Sequence, residues 1–140
     1  MTRRRGRQAG VTLIEMLVVV AIIGVMAGIT YPSITAGLDS LRLTAAADSV
    51  AALFNDAANH AQRRQEWVEV RVSKHQLQAN GPTFRRQLDL AGLTAAPEQV
   101  YFIDPLGTLP GAQMEIQGAK QRRQVRLDPL TGLAEVQRAP

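Results

Sequence analysis

Gly10, Val11 and Glu15 are the residues whose types and spacing first point to chemistry. A glycine closes a basic head, an apolar residue follows it, and a carboxylate stands inside the apolar run that begins there. A carboxylate at membrane depth costs about 2.5–3.5 kcal/mol on insertion scales and less near the interface, so it calls for a partner. Cutting the chain after Gly10 creates one. Val11 then carries a positively charged amine four residues before Glu15, one turn away on the same helix or on a neighbouring copy. The alternative that needs no cut is a Glu15 side chain that snorkels unpaired to the interface.

Elsewhere the chain offers little for catalysis. It has no cysteine, which excludes a disulfide scaffold, a thiolate metal site, a cysteine nucleophile and a lipobox-type lipid anchor. The two histidines, His60 and His75, lack the spacing of a metal pair. No specific Ser-His-Asp set can be drawn, and no glycine-rich phosphate loop is present. The sequence reads as a non-enzyme with no cofactor and no metal site. Asp104 and Asp128 read as turn residues accepting backbone hydrogen bonds. Lys120, Arg122, Arg123 and Arg126, four cations within seven residues, form the densest basic cluster. On a strand, Arg122 and Arg126 project from one face and Arg123 from the other. Nucleic-acid binding through them is the less favoured reading, because the phosphate term needs several cations facing one way.

The elements that must position these groups follow from composition and periodicity. The chain has 140 residues, 46% hydrophobic and 20% charged, enough for one ordinary domain. The net charge of +4 resides in Arg3, Arg4, Arg5 and Arg7, and from Val11 onward acids and bases balance. The high pI is therefore no sign of a nucleic-acid partner for the folded part. One Trp, two Tyr and three Phe also supply few platforms for stacking bases.

Val11–Ile29 contains nineteen residues with Glu15 as the single charge. As a helix it spans roughly 29 Å at about 1.5 Å per residue, near the thickness of a bilayer core. The arginines ahead of it place the N-terminus in the cytoplasm by the positive-inside rule. A cleaved secretory signal would have a shorter apolar part and an Ala-x-Ala-like site after it, which this run lacks. A twin-arginine signal would need more than the Arg3-Arg4-Arg5 triplet.

Beyond Pro32, Ile34, Leu38, Leu41, Ala45, Val50, Leu53, Phe54, Ala57 and Ala61 recur at helical steps, predicting an amphipathic helix to about Arg64. From Trp67 the period becomes two. Val68, Val70 and Val72 alternate with polar residues, and strand-like runs follow at 76–80, 83–88, 100–104, 113–117, 124–128 and 133–137, separated by Gly and Pro turns. The two Asp-Pro-Leu segments read as repeated turn chemistry. The expectation is an α+β fold: a long N-terminal helix, its first half transmembrane, packed on an antiparallel β-sheet domain of one or two sheets.

The run Gly10-Val11-Thr12-Leu13-Ile14-Glu15-Met16-Leu17-Val18-Val19 resembles the class III signal of type IV prepilins and type II secretion pseudopilins. The resemblance implies that a membrane prepilin peptidase cuts between Gly10 and Val11 and methylates Val11. It also implies that Glu15 pairs with a neighbouring subunit's N-terminus during filament assembly. The departure is Val11, where the family usually has Phe or Met. Arg42-Leu43-Thr44-Ala45-Ala46-Ala47-Asp48, Gln62-Arg63-Arg64-Gln65 before a Val-rich strand, and a late Gly-containing hairpin resemble the GspH/FimT-like minor pilins and pseudopilins.

The organisation implied is a leader peptide at residues 1–10, a transmembrane helix at 11–31, its amphipathic continuation at 32–64 and a periplasmic β-domain at 65–140. The expected function is that of a minor pseudopilin of a type II secretion system, anchored in the inner membrane and assembled with other pseudopilins or pilins. The alternative is a minor type IV pilin for pilus assembly or DNA uptake through the C-terminal basic cluster. A monomeric membrane-tethered binding domain is a third reading, and Glu15 speaks against it, since a plain anchor gains nothing from that carboxylate.

Overall fold

The computed structural model describes residues 12–138, and the surroundings of all their side chains except those of residues 30–36 and 138. Helix α1 spans Leu13–Arg64 and is followed by eight strands: β1 (Val68–Ser73), β2 (Gln76–Asn80), β3 (Arg85–Asp89), β4 (Thr94–Ala96), β5 (Val100–Ile103), β6 (Ala112–Gln117), β7 (Arg122–Asp128) and β8 (Leu133–Arg138). The chain divides into two compact units, Met1–Gly37 and Leu38–Pro140. Of the first, the described part is the opening half of α1. The second contains the rest of α1 and all eight strands.

Two antiparallel sheets form, with strand orders β3-β2-β1-β5 and β4-β6-β7-β8. Strand β1 lies inside the first sheet, paired with β2 on one side and β5 on the other, and it buries Val68, Val70 and Val72 on one face while Glu69, Arg71 and Ser73 face away. In the second sheet, Met114 and Ile116 on β6 and Val125 and Leu127 on β7 are buried in the same alternation. The three-residue strand β4, Thr94–Ala96, lies outside the predicted runs. It pairs with Ala112–Gln117 through Ala95↔Ile116 and carries too short a pattern to be read locally.

The helix covers the inner faces with Leu43, Ala47, Val50, Phe54, Ala57 and Ala61, all buried. Steps of four and three residues keep these on one line at about 3.6 residues per turn. Leu38, Leu41 and Ala45, assigned to the packed face from the sequence, are exposed instead. They share a line with Asp48, Ala52 and Asp56, about half a turn away from Leu43. The alanines let the helix approach the sheets closely, and Phe54 fills the remaining depth, meeting the edge of Tyr101 at 5.6 Å between ring centroids.

Helix α1 stops at Arg64 because the chain reverses there. Gln65 takes a left-handed conformation (φ 56°) and the Glu66 N–H donates to the Ala61 carbonyl at 3.1 Å, which closes the last turn. The Gln65 amide then donates to the carbonyls of Gln62 (2.8 Å) and Pro105 (3.1 Å), tying the helix end to the turn after β5. Gly107 in that turn has φ +76°, and a Cβ on it would stand 2.8 Å from the Ala58 carbonyl, so the close approach admits glycine alone. On the other flank, Asn55 Oδ1 accepts from the Ala134 N–H at 2.8 Å and its Nδ2 donates to the Ala134 carbonyl at 3.3 Å, joining α1 to β8.

Candidate functional site

Gly10 and Val11, the expected cleavage and methylation positions, lie outside the described residues. The described part of the motif begins at Thr12. The Thr12 carbonyl accepts from the N–H groups of Glu15 (3.0 Å) and Met16 (3.2 Å), and its Oγ1 lies 3.3 Å from the Glu15 nitrogen as a second acceptor. Thr12 is thus the N-cap of α1 and Glu15 its third residue, the Thr-x-x-Glu spacing of a capping box. Glu15 is exposed in the first turn, where its charge complements the positive end of the helix dipole. Cap and carboxylate are set by the same four residues.

Every described side chain from Leu13 to Ile29 is exposed. Apolar side chains exposed on all sides of a helix are the kind of surface that lipid or other apolar helices cover. Among the described residues no helix is long and apolar enough to cross a membrane.

The basic cluster is divided by the strand that carries it. Lys120 is exposed in the Gly118–Gln121 turn. Arg122 and Arg126 face outward on β7, and Arg123 points the other way at intermediate burial. The outward pair stands among acids: Arg122 Nη1 is 3.6 Å from Glu115 Oε1, and Arg126 lies directly opposite Glu135 in the β7–β8 register. Arg85 and Arg86 separate in the same way, Arg86 reaching Asp56 on α1 at 3.4 Å. The structure brings no three of these arginines onto one uncompensated face.

The histidines are structural. His75 Nδ1 lies 3.0 Å from the Leu93 carbonyl. His60 stacks on Phe84 with ring centroids 4.7 Å apart, and its Nε2 is 3.0 Å from Thr83 Oγ1, which donates in turn to Glu66 Oε2 at 2.9 Å. That chain fastens the β2–β3 hairpin to the helix end, a contact across 17 to 23 residues of sequence that periodicity does not reveal. Asp104 Oδ1 accepts from the N–H groups of Leu106 and Thr108, and Asp128 Oδ1 from that of Leu130, the turn chemistry expected of both. Among the described residues no group of three His, Asp or Glu could hold a metal ion.

The chain joins a prepilin-type N-terminal motif to a pilin-like fold. Residues 5–31 match the prokaryotic N-terminal methylation motif. The structure is similar to the crystal structure of the Pseudomonas aeruginosa type IV minor pilin FimU, with a TM-score of 0.53 and 17% sequence identity over 73% of this chain and 91% of that one. That similarity is one of fold. No curated protein sequence matches the chain.

Proposed function

We propose that the protein is a minor pseudopilin, a non-catalytic structural subunit of the periplasmic pseudopilus of a type II secretion system. The observation that carries this is the all-round apolar surface of Leu13–Ile29, continued by α1 into the part that packs on the sheets. Such a segment is stored in the inner membrane and transferred to a bundle of like helices, with the N-terminus cytoplasmic and the β-domain periplasmic. Prepilin peptidase cuts between Gly10 and Val11 and methylates Val11, and Glu15 then pairs with a neighbouring subunit's N-terminal amine.

The fold likeness to FimU favours a second reading, a minor pilin of a type IV pilus. The compensated arginines of β7 weigh against its DNA-uptake form, since Glu115 and Glu135 occupy the face from which Arg122 and Arg126 would meet phosphate.

Deleting the gene in its host tests the choice. Secreted enzymes retained in the periplasm with pili unchanged are expected, and lost pili with normal secretion would establish the second reading. Mass spectrometry of the membrane-extracted chain should show it starting at Val11. A mature terminus beyond Ile29 would mean an ordinary secretory signal and overturn both.

A further inference from the structure

The chain holds three asparagines, Asn55, Asn59 and Asn80, and only Asn80 precedes a glycine. That order favours attack of the next backbone nitrogen on the side-chain amide, because glycine has no Cβ to shield the nitrogen or restrict its backbone. Asn55 is placed differently: both ends of its amide are bonded to Ala134, and Asp56 follows it. Asn59 stands within α1 and is followed by His60, whose side chain crowds the nitrogen. Asn80 is exposed at the end of β2, and no hydrogen bond ties its side-chain amide among the described residues. The glycine after it has a packing reason. A Cβ at Gly81 would stand 3.2 Å from Val68 Cγ2 and 3.4 Å from the Trp67 carbonyl oxygen, so a larger residue fits only if its neighbours give way.

The fold opposes the reaction at three points. Asn80 is paired with Glu69 on β1 and with Arg85 on β3. Ring closure needs Asn80 Cβ and the Gly81 nitrogen nearly eclipsed about the bond between them, which an extended strand with ψ about +135° does not allow. The Gly81 N–H donates to the Phe84 carbonyl at 2.7 Å, so the nucleophile is occupied as well. The turn that carries this bond is itself fastened: Thr83 Oγ1 donates to Glu66 Oε2 at 2.9 Å and lies 3.0 Å from His60 Nε2. We infer that Asn80 is a deamidation site held closed by this latch, which converts to aspartate or isoaspartate when the Gly81–Phe84 turn opens. The Gly81 nitrogen, having lost its proton to solvent base, bonds to Asn80 Cγ; the Cγ–Nδ2 bond breaks and ammonia leaves. Water then opens the succinimide at either carbonyl and leaves a carboxylate. Aspartate at 80 sets that charge between Glu69 and Arg85, while isoaspartate adds an atom to the main chain and shifts the turn that follows. The inference is independent of whether the filament serves secretion or a pilus.

The test is incubation of the membrane-extracted full chain in detergent at mildly alkaline pH, with and without urea, followed by peptide mapping that resolves asparagine, aspartate and isoaspartate. In urea, Asn80 should convert ahead of Asn55 and Asn59. In the folded chain its rate should be lower by about tenfold or more, in proportion to the small population in which the turn is open. Thr83→Val removes the bond to Glu66 and should speed conversion of Asn80 in the folded chain several-fold, with Asn55 and Asn59 unchanged. Gly81→Ala, compared in urea where its effect on folding is immaterial, should slow it. Equal rates with and without urea, or Asn55 or Asn59 converting first in urea, would overturn the inference. So would an unchanged rate in either variant, or acceleration of all three asparagines together in Thr83→Val.

Discussion

Thr12 caps the helix on which Glu15 stands: its Oγ1 and carbonyl both lie within 3.3 Å of the Glu15 nitrogen. The two residues offer two physical roles for one carboxylate. It can complete a capping box, or it can wait for a positive charge on another chain. Glutamine separates these roles, because it serves at the third helical position of a capping box as glutamate does but carries no charge. Glu15→Gln should leave α1 helicity and membrane insertion unchanged and yet reduce cross-linking to partner pilins as strongly as Glu15→Val. Assembly preserved in Glu15→Gln and lost in Glu15→Val would show that the cap, and not the charge, is what the filament uses.

Tyr101 presents the reverse case, a polar group with no use in the fold. Its ring packs edge-on against Phe54, and its buried hydroxyl meets only a poorly placed Gln99 side chain, short of a hydrogen bond of good geometry. Burial pushes its pKa above the usual 10.0, offset only in part by the neighbouring Gln99 amide. Tyr101→Phe should therefore be neutral or stabilising by about 1 kcal/mol in denaturant unfolding. The sign of the pH effect is fixed as well. A group with its pKa raised on folding favours the folded state fully below pH 10.0 and loses that contribution as pH rises through the folded value. The wild-type stability curve should fall more steeply than that of Tyr101→Phe above this pH.

Asn55 is the opposite kind of polar residue, since both ends of its amide serve Ala134 on β8. Asn55→Ala leaves the part-buried N–H and carbonyl of Ala134 without those partners, at a cost of about 2 kcal/mol. Hydrogen exchange should report it selectively, with protection lost along β8 before β1. Uniform loss across both sheets would show that the bond supports the whole domain rather than its edge.

How far the sequence reached follows from the range of each signal. The end of α1 at Arg64 and the faces of β1 and β7 were readable because valine and leucine alternation is local. The upper helix was misread at Leu38 and Leu41. Leucines at three- and four-residue steps fit either side of a helix, and only the sheets decide that Leu43 and Ala47 face inward. Strand β4 escaped because three residues carry no period, and its position comes from pairing with Ile116. Cluster arithmetic on the arginines found their opposing directions on β7. It could not find Glu115 and Glu135, which come from the two neighbouring strands through register.

That register sets the last expectation. Arg122 lies near Glu115 and Arg126 opposite Glu135, so the outward face of β7 presents two cations and two anions to a polyanion. The processed chain, without the arginines of the head, should show no salt-sensitive affinity for duplex DNA. Glu115→Gln with Glu135→Gln removes both anions and leaves the two arginines on one side. Salt-dependent binding should then emerge with a log–log slope of about −1.8, the value for two phosphate contacts. Adding Arg122→Gln and Arg126→Gln should abolish it. A wild-type slope of about −3 or steeper that the same two arginine substitutions flatten would mean that the acids do not neutralise the face, and would move the protein to the uptake pilins.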